Sequence, residues 1–525
     1  MFGFLRRTRL PLIAPLRSID WNGDTLTLVL DADADADAEV TLDIDGCFFS
    51  PFTFDEKGRA TLSIPFSPAG QPVFHVLPRV RRNGAELVAQ PLRATQGIRG
   101  LVAAPAVVPA LSQSTLPACC VPFGVELAAV DMAIVVPVYN APAMVAACLD
   151  AVLAQTRGRA RLIIIDDAST DAGIAPLLAR YDGIERVEVL RNAENLGFTG
   201  TANRGIAHAG RADVVLLNAD TEVGPQWLAG LRRAAYADDE IATATAVSDN
   251  AGAFSVPELE QANETPAAWS GIDCARASWQ HAGMAYPQLP TGNGFCLYIR
   301  RSVIDAVGVL DEAAFPQGYG EENDFCQRAS ALGLRHVIAG NVWVRHARSM
   351  SFGDERRHLL GRAGMDVLRE RWPRYEADVG ATLLSFERRV LDWRVRRLYS
   401  SASAANRARM RVLWVGAGAP DWPDAEVWNL RANGARNELV CDERIIATNT
   451  WEAADPEPSY RALWNWLQIY AIEWLVVGER KQSAAEILCG LLDIPIAIVQ
   501  PTAPSAIEAL RAAESDTASF PERRA

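Results

Sequence analysis

The spacing of apolar and polar positions divides the chain into stretches with different grammars. Between residues 19 and 93 short alternating runs (25–30, 40–44, 60–64 and 73–80) are separated by Gly, Pro and Asp. A period of two bounded by turn formers predicts antiparallel strands, here a small β-sandwich. From residue 132 the pattern changes to short continuous apolar runs at 133–136, 162–165, 187–190 and 214–217, alternating with helical periods at 142–155, 174–181 and 201–209. Strands apolar on both faces and interleaved with helices predict a parallel, doubly wound sheet. Beyond residue 410 a second series follows, with strands at 412–415, 438–441, 474–477 and 496–499 and helices near Ala425 and at 460–470 and 484–492.

The joins between these stretches have their own composition. Pro105, Pro109 and Pro117 mark an extended connection, and an Arg-rich stretch through Arg409 reads as helical. The expected organisation is a β-rich domain over residues 1–102, a Pro-rich linker over 103–130, an α/β domain over 131–375, a helical connector over 376–409 and a small Rossmann-like α/β domain over 410–525. A chain of 525 residues is long enough for several cores.

Composition narrows the function classes. A formal net charge of -13 argues against a nucleic-acid partner, which needs a basic surface. Nine cysteines, an odd number without C-x-x-C spacing, read as reduced thiols of a cytoplasmic protein. The apolar start is broken by Arg9 and Pro11 and does not read as a signal peptide. No apolar run approaches the ~20 residues that span a bilayer. Phe2, Phe4 and Leu5 beside Arg6, Arg7 and Arg9 offer at most a peripheral contact with the inner membrane. The Asp-Ala repeats at 31–38 lack the Gly and terminal Glu of a calcium loop and read as a solvated loop.

In an open parallel sheet ligands collect beyond the carboxyl ends of the strands. The expected strands lead there into Pro137-Val138-Tyr139-Asn140, Asp166-Asp167-Ala168-Ser169-Thr170, Asn192 with Asn195-Leu196-Gly197, and Asn218-Ala219-Asp220-Thr221. Polar and acidic groups therefore converge on one edge. Further along, Gly318-Tyr319-Gly320 precedes Glu321-Glu322-Asn323-Asp324 at the start of a helix stopped by Gly333, and His346 follows Asn341-Val342-Trp343-Val344, a run that reads as a strand.

The ordered set VPVYN, DDAST, NLGFTGTANRG, LNADTEV, GNGFCLYIRR, GYGEENDFC and a late His346 before Ser351-Phe352-Gly353 resembles family 2 glycosyltransferases of the glycosyltransferase-A fold, particularly bacterial, rhamnosyltransferase-like enzymes of surface polysaccharide synthesis. The resemblance spans residues 132–353. It implies an inverting, metal-dependent transfer of a sugar from a UDP- or dTDP-sugar to an oligosaccharide or lipid-linked glycan acceptor. By the same resemblance Pro137, Tyr139, Asp166 and Asp167 would line the nucleotide pocket, with Asn195 and Arg204 nearby. Asn218-Ala219-Asp220 stands where the family has Asp-x-Asp, so Asp220 would be the direct ligand of Mn2+ or Mg2+ and Asn218 would contact ribose or water. His346 matches the family's late metal-binding histidine, and an imidazole ligand tilts the choice toward manganese. Glu322 matches the general base, Glu321 would orient acceptor hydroxyls, and Asp324 is the alternative base. Tyr319 and Trp343 are candidates for stacking on sugar rings.

Each of these residues also has a structural use. Asp167, Ser169 and Thr170 suit a helix cap and turn, the acids at 321–324 suit a helix N-terminus, and a lone histidine is commonly a packing residue. Three other functions compete. A sugar nucleotidyltransferase would carry a Gly-rich basic loop after its first strand, which VPVYNAP lacks. Dinucleotide binding at Gly416-Ala417-Gly418 would need a third glycine where Asp421 stands. A non-catalytic carbohydrate-binding or assembly role suits the flanking domains better than the acidic centre.

Overall fold

The computed structural model of the chain describes residues 131–156, 160–284, 286–347, 354–383, 385–416, 418–450, 457–479, 483–499 and 505–514, with residue 55, residues 58–63 and the strands that precede residue 106. The strands ahead of residue 131 are β1 (Leu16–Asn22), β2 (Thr25–Leu30), β3 (Glu39–Ile44), β4 (Cys47–Phe49), β5 (Arg59–Ser63), β6 (Val73–Arg82), β7 (Ala85–Val88), β8 (Leu92–Gly97) and β9 (Gly100–Pro105). They form two antiparallel sheets, β1-β2-β5 and β4-β3-β6-β8-β9, with β7 paired to β6. The Asp-Ala run, most of the Pro-rich linker, residues 348–353 and the basic N-terminal cluster lie outside the described residues.

The central sheet is built from β10 (Met132–Val138), β11 (Arg161–Asp166), β12 (Val187–Arg191), β13 (Asp213–Leu217), β15 (Ile241–Val247), β16 (Gln288–Leu289), β17 (Cys296–Ile299) and β18 (Arg335–Trp343), in the order β12-β11-β10-β13-β17-β15-β18-β16. The strands β10 to β13 and the pair β15–β18 are parallel, whereas β17 and β16 pair antiparallel. Alternate residues of β10 enter opposite cores. Ile134 and Val136 pack with Val145 and Leu149 of α1 (Pro142–Gln155), and Ala133 and Val135 pack with Ala202 and Ile206 of α3 (Gly197–His208). Burial on both faces explains why the strands read as continuous apolar runs. The remaining helices of this part are α2 (Ile174–Leu178), α4 (Trp227–Ala235), α5 (Gly271–His281), α6 (Arg301–Val307) and α7 (Glu321–Ser330). A separate two-stranded ladder pairs β14 (Thr221–Glu222) with β19 (Arg345–His346).

Three helices follow: α8 (Asp354–Arg371), α9 (Tyr375–Leu383) and α10 (Phe386–Ser401). The expected boundary at 375/376 thus falls at the start of α9. Leu391 and Val395 of α10 join the same apolar cluster as Ile134 and Trp343, so this connector completes the core of the central sheet.

The last sheet contains β20 (Met410–Val415), β21 (Ala425–Asn433), β22 (Arg436–Cys441), β23 (Arg444–Thr450), β24 (Trp474–Val477) and β25 (Ile496–Ile498), in the order β23-β22-β21-β20-β24-β25. The helix expected near Ala425 is strand β21. Ala425 and Val427 pack into one core while Trp428 and Leu430 pack into the other, a period of two. The next described element after β20 is therefore a strand, so Gly416 and Gly418 precede β21 rather than a described helix whose N-terminus could hold a pyrophosphate. Helices α11 (Glu457–Ile469), α12 (Ala484–Leu491) and α13 (Ala506–Glu514) complete this part.

Buried polar contacts join the last sheet to the central one. Glu473 receives Arg276 at 3.0 Å and the Gln280 amide at 3.1 Å. Trp279 donates to the Ala471 carbonyl at 3.3 Å, Arg233 donates to the Leu492 carbonyl at 2.5 Å, and Arg232 pairs with Asp493. No helix among the described residues is long and apolar enough to cross a membrane. Cys148, Cys274, Cys296, Cys326, Cys441 and Cys489 are free and buried.

Candidate active site

The carboxyl ends of β10 and β13 open into a cavity of about 370 Å³. Pro137, Tyr139, Asn218, Asp220, Glu321, Glu322 and His346 all line it, whereas Asp166, Asp167, Asn195, Arg204 and Asp324 do not. Residues from four separate motifs therefore meet on one surface.

Four of the expected nucleotide residues form a hydrogen-bonded layer outside the lining. Asp166 accepts the Ser169 amide at 2.9 Å and pairs with Arg191 at 2.6 Å. Asp167 accepts the Asn192 side-chain amide at 2.7 Å and the Leu196 N–H at 2.8 Å. Asn195 donates to the Asp167 carbonyl at 3.3 Å, and Arg204 donates to the Arg191 carbonyl at 2.8 Å and to the Asn192 side chain. These contacts fix the loops on which the rim is built. Asn140, the last residue of the VPVYN motif, organises the rim. Its backbone is left-handed, at φ 59, a conformation asparagine tolerates, and its side-chain oxygen accepts the N–H groups of Thr170 and Asp171 at 2.9 Å each.

On the opposite wall Asp220 and His346 come together because Thr221 pairs with His346 in the β14–β19 ladder. Their Oδ1 and Nε2 atoms are 3.4 Å apart. The His346 Nδ1 lies 2.9 Å from the Asn250 carbonyl. A carbonyl only accepts, so Nδ1 carries a proton and a neutral ring presents the Nε2 lone pair to the carboxylate. A carboxylate oxygen and an imidazole nitrogen side by side on a cavity wall are a donor set that suits a divalent cation. Among the described residues no group of three or more His, Cys, Asp or Glu could hold a metal, so the protein's share here is this pair. Asp249 accepts the His346 N–H at 3.0 Å, and the Phe295 ring stacks on the imidazole at 5.2 Å. Asp249 and Asn250 escaped the sequence reading; the only signal was a polar Ser-Asp-Asn run at the end of an apolar strand.

Beside this pair, the turn 318–320 places three acids in the first turn of α7. Glu321 is buried and its Oε2 accepts the Gly320 N–H at 3.0 Å. Burial, and then the neighbouring Glu322 charge, push its carboxyl well above the usual range. Glu322 is raised as well by burial, but its own N–H, a hydrogen bond from Glu321 and the backbone of Gly320 and Gly294 oppose that. Both carboxyls are thus raised by burial, and the opposing hydrogen bonds leave Glu322 the readier of the two to ionise. Glu322 Oε2 is buried and has no hydrogen-bond partner among the described residues. Asp324 is used otherwise: it accepts from Arg328 at 2.9 Å, Arg371 at 3.1 Å and Trp372 at 3.0 Å. Tyr319 lines the cavity, whereas Trp343 is buried in the core and cannot stack on a sugar.

Residues 133–308 match the family model described as glycosyl transferase family 2. The uncharacterized protein y4gI of Sinorhizobium fredii (strain NBRC 101917 / NGR234) is 25% identical over 264 residues, 47% of this chain and 28% of its own length. The uncharacterized glycosyltransferase YibD of Escherichia coli (strain K12) is 33% identical over 110 residues, 21% of this chain and 31% of its own. The chain thus spans less than a third of the length of either relative. Among solved structures, GalNAc-T7 with UDP, GalNAc and Mn2+ aligns with a TM-score of 0.34 at 18% identity, over 41% of this chain and 44% of that one. The mannosyltransferase PcManGT from Pyrobaculum calidifontis in complex with GDP-Man and Mn2+ aligns with a TM-score of 0.35 at 15% identity, over 52% and 77%.

Proposed function

Since residues 133–308 are a family 2 glycosyl transferase domain, we propose that the chain moves a sugar from a UDP- or dTDP-sugar to a carbohydrate hydroxyl with inversion, in surface polysaccharide synthesis. The observation that carries this reading is the convergence of Asp220, His346 and Glu322 on one cavity. An oligosaccharide or a lipid-linked glycan is the acceptor.

Asp220 Oδ1 and His346 Nε2 would hold the divalent ion, manganese being favoured by the imidazole. When bound, such an ion neutralises the negative charge of a departing diphosphate. Asn218 flanks that position without adding charge. On the same cavity Glu322 takes the proton of the attacking hydroxyl onto its Oε2. Glu321, holding its own proton, keeps the pair from carrying two adjacent charges. Inversion needs one such base, because a single displacement has no covalent intermediate to resolve.

A hydrolysis screen of UDP-, dTDP- and GDP-sugars, with and without manganese, tests the reading. Metal-dependent release of UDP or dTDP is expected. Failure to hydrolyse or bind any nucleotide sugar would instead favour a carbohydrate-binding or assembly role.

A further inference from the structure

Helix α10 lies beyond the family match, yet one of its side chains reaches the segment that orients His346. Arg388 is fully buried. Its Nε donates to the two oxygens of Asp392 at 3.0 and 3.2 Å. One terminal nitrogen donates to the Ala253 carbonyl at 2.7 Å and the other to the Ser255 carbonyl. Two turns further on, Arg396 pairs with Glu258 at 2.7 Å. One face of α10 therefore grips residues 253–258.

That segment is folded on itself and ends at the imidazole. Val256 N–H donates to the Ser248 carbonyl at 2.9 Å, Ser248 N–H to the Phe254 carbonyl at 3.1 Å, and Ala251 N–H to the Ser255 hydroxyl at 2.8 Å. Asp249 and Asn250, at its head, accept the N–H and Nδ1 of His346 at 3.0 and 2.9 Å. Hydrogen bonds thus run from the guanidinium through the segment to the ring.

We propose that Arg388 is a positioning residue for the His346 imidazole, acting through residues 248–256, and so for the metal affinity of the Asp220–His346 pair. The metal half rests on the function proposed above; the positioning half does not. Two carbonyls of an irregular, buried segment need donors, and a planar guanidinium supplies them while keeping a third edge on Asp392. A lysine ammonium in the same place is a point charge without the fork. Groups that orient a ligating histidine act on metal affinity without touching the metal.

The experiment uses the full chain with ¹³C-labelled histidine and compares Arg388→Lys, His346→Ala and the double variant. Manganese affinity in the presence of UDP should fall about tenfold in Arg388→Lys. In the His346→Ala background the same substitution should change it no further, because one interaction is being removed twice. Equal weakening in both backgrounds, or none in either, overturns the proposal. The His346 ring resonance, identified by its loss in His346→Ala, should shift in Arg388→Lys while that of His208, exposed on α3, stays in place. An unmoved His346 signal overturns the positioning role whether or not metal binds. No manganese binding by the unaltered chain sinks the metal reading alone. Should Arg388→Lys fail to fold, Arg388→Met with Asp392→Leu replaces the buried pair by apolar volume and carries the same measurements.

Discussion

His346 Nε2 stands 3.4 Å from Asp220 Oδ1, and the contact exists because a two-residue strand on each side, β14 and β19, brings distant parts of the chain into register. The ring's other nitrogen is tied to the Asn250 carbonyl, so the pair is oriented before any ligand arrives. The consequences can be measured.

Asp220→Ala should lower the affinity for UDP in manganese by about tenfold or more, as expected for a lost metal ligand. Asn218→Ala should cost much less. It adds no charge to the pair, and its loop is held by its backbone, whose N–H and carbonyl bond Phe295 and Thr221. Calorimetric titration decides, and equal losses would overturn the ligand assignment.

Glu322→Gln keeps size and hydrogen bonding while removing basicity, so turnover should fall by the ~10²–10⁴-fold of a lost general base. Nucleotide affinity should hardly change. Asp324→Asn should act through stability, because Asp324 neutralises Arg328 and Arg371. A collapse of turnover in Asp324→Asn at unchanged melting temperature, with normal turnover in Glu322→Gln, would move the base to Asp324.

The raised Glu321 carboxyl makes a prediction about pH. A folded-state value above the unfolded one means the native state binds the proton more tightly, so stability falls as pH rises from the ordinary glutamate range through the folded value. Glu321→Gln mimics the protonated form and can still accept the Gly320 N–H. It should therefore raise the melting temperature more at pH 8 than at pH 4.5. A uniform change at both would show that the carboxyl titrates normally.

A β-carbon on Gly364 of α8 would lie 1.8 Å from the Tyr319 carbonyl oxygen. Gly364→Ala should destabilise the chain by about 1–3 kcal/mol through overpacking, and it should lower turnover as well, since Tyr319 belongs to the turn that presents Glu322. Thermal melting and a rate assay check the two effects; an unchanged melting temperature would contradict the close approach.

Ending the chain at Arg409 should impair folding of the catalytic part rather than release it. Arg232, Arg233 and Arg276 are buried or nearly so, and their partners Asp493, Leu492 and Glu473 all lie beyond the cut. Removing one partner of a buried pair costs about 3–5 kcal/mol. A truncated chain that melts at the temperature of the full one would show that this interface contributes nothing to the catalytic core.

Much of this molecule was legible without coordinates. Continuous apolar runs marked β10, β11 and β13, because strands covered on both faces need no polar alternation, and sites beyond their carboxyl ends placed Tyr139, Asn218 and Asp220 near one another. The order of the motifs carried the family. Local pattern misassigned Ala425, where a strand apolar on both faces gave no clean alternation to set it apart from a helix. It also could not separate cavity from support. Asp324 shares its motif with the lining acids Glu321 and Glu322, and Asp166 and Asp167 stand at a strand's carboxyl end as Asn218 and Asp220 do; only the partners Arg191, Asn192, Arg328 and Arg371 show that the oxygens of Asp166, Asp167 and Asp324 are already engaged.

The sequence by itself determined the elements and the chemical groups, since apolar period, turn residues and side-chain type are local properties of the chain. Only the tertiary structure decided that burial raises the adjacent acids Glu321 and Glu322, which nitrogen of His346 faces the cavity, and that Arg388 on a helix outside the motifs holds the segment behind it. Each of those depends on burial and on hydrogen-bond partners contributed by remote segments, and neither is written in the spacing of neighbours along the chain.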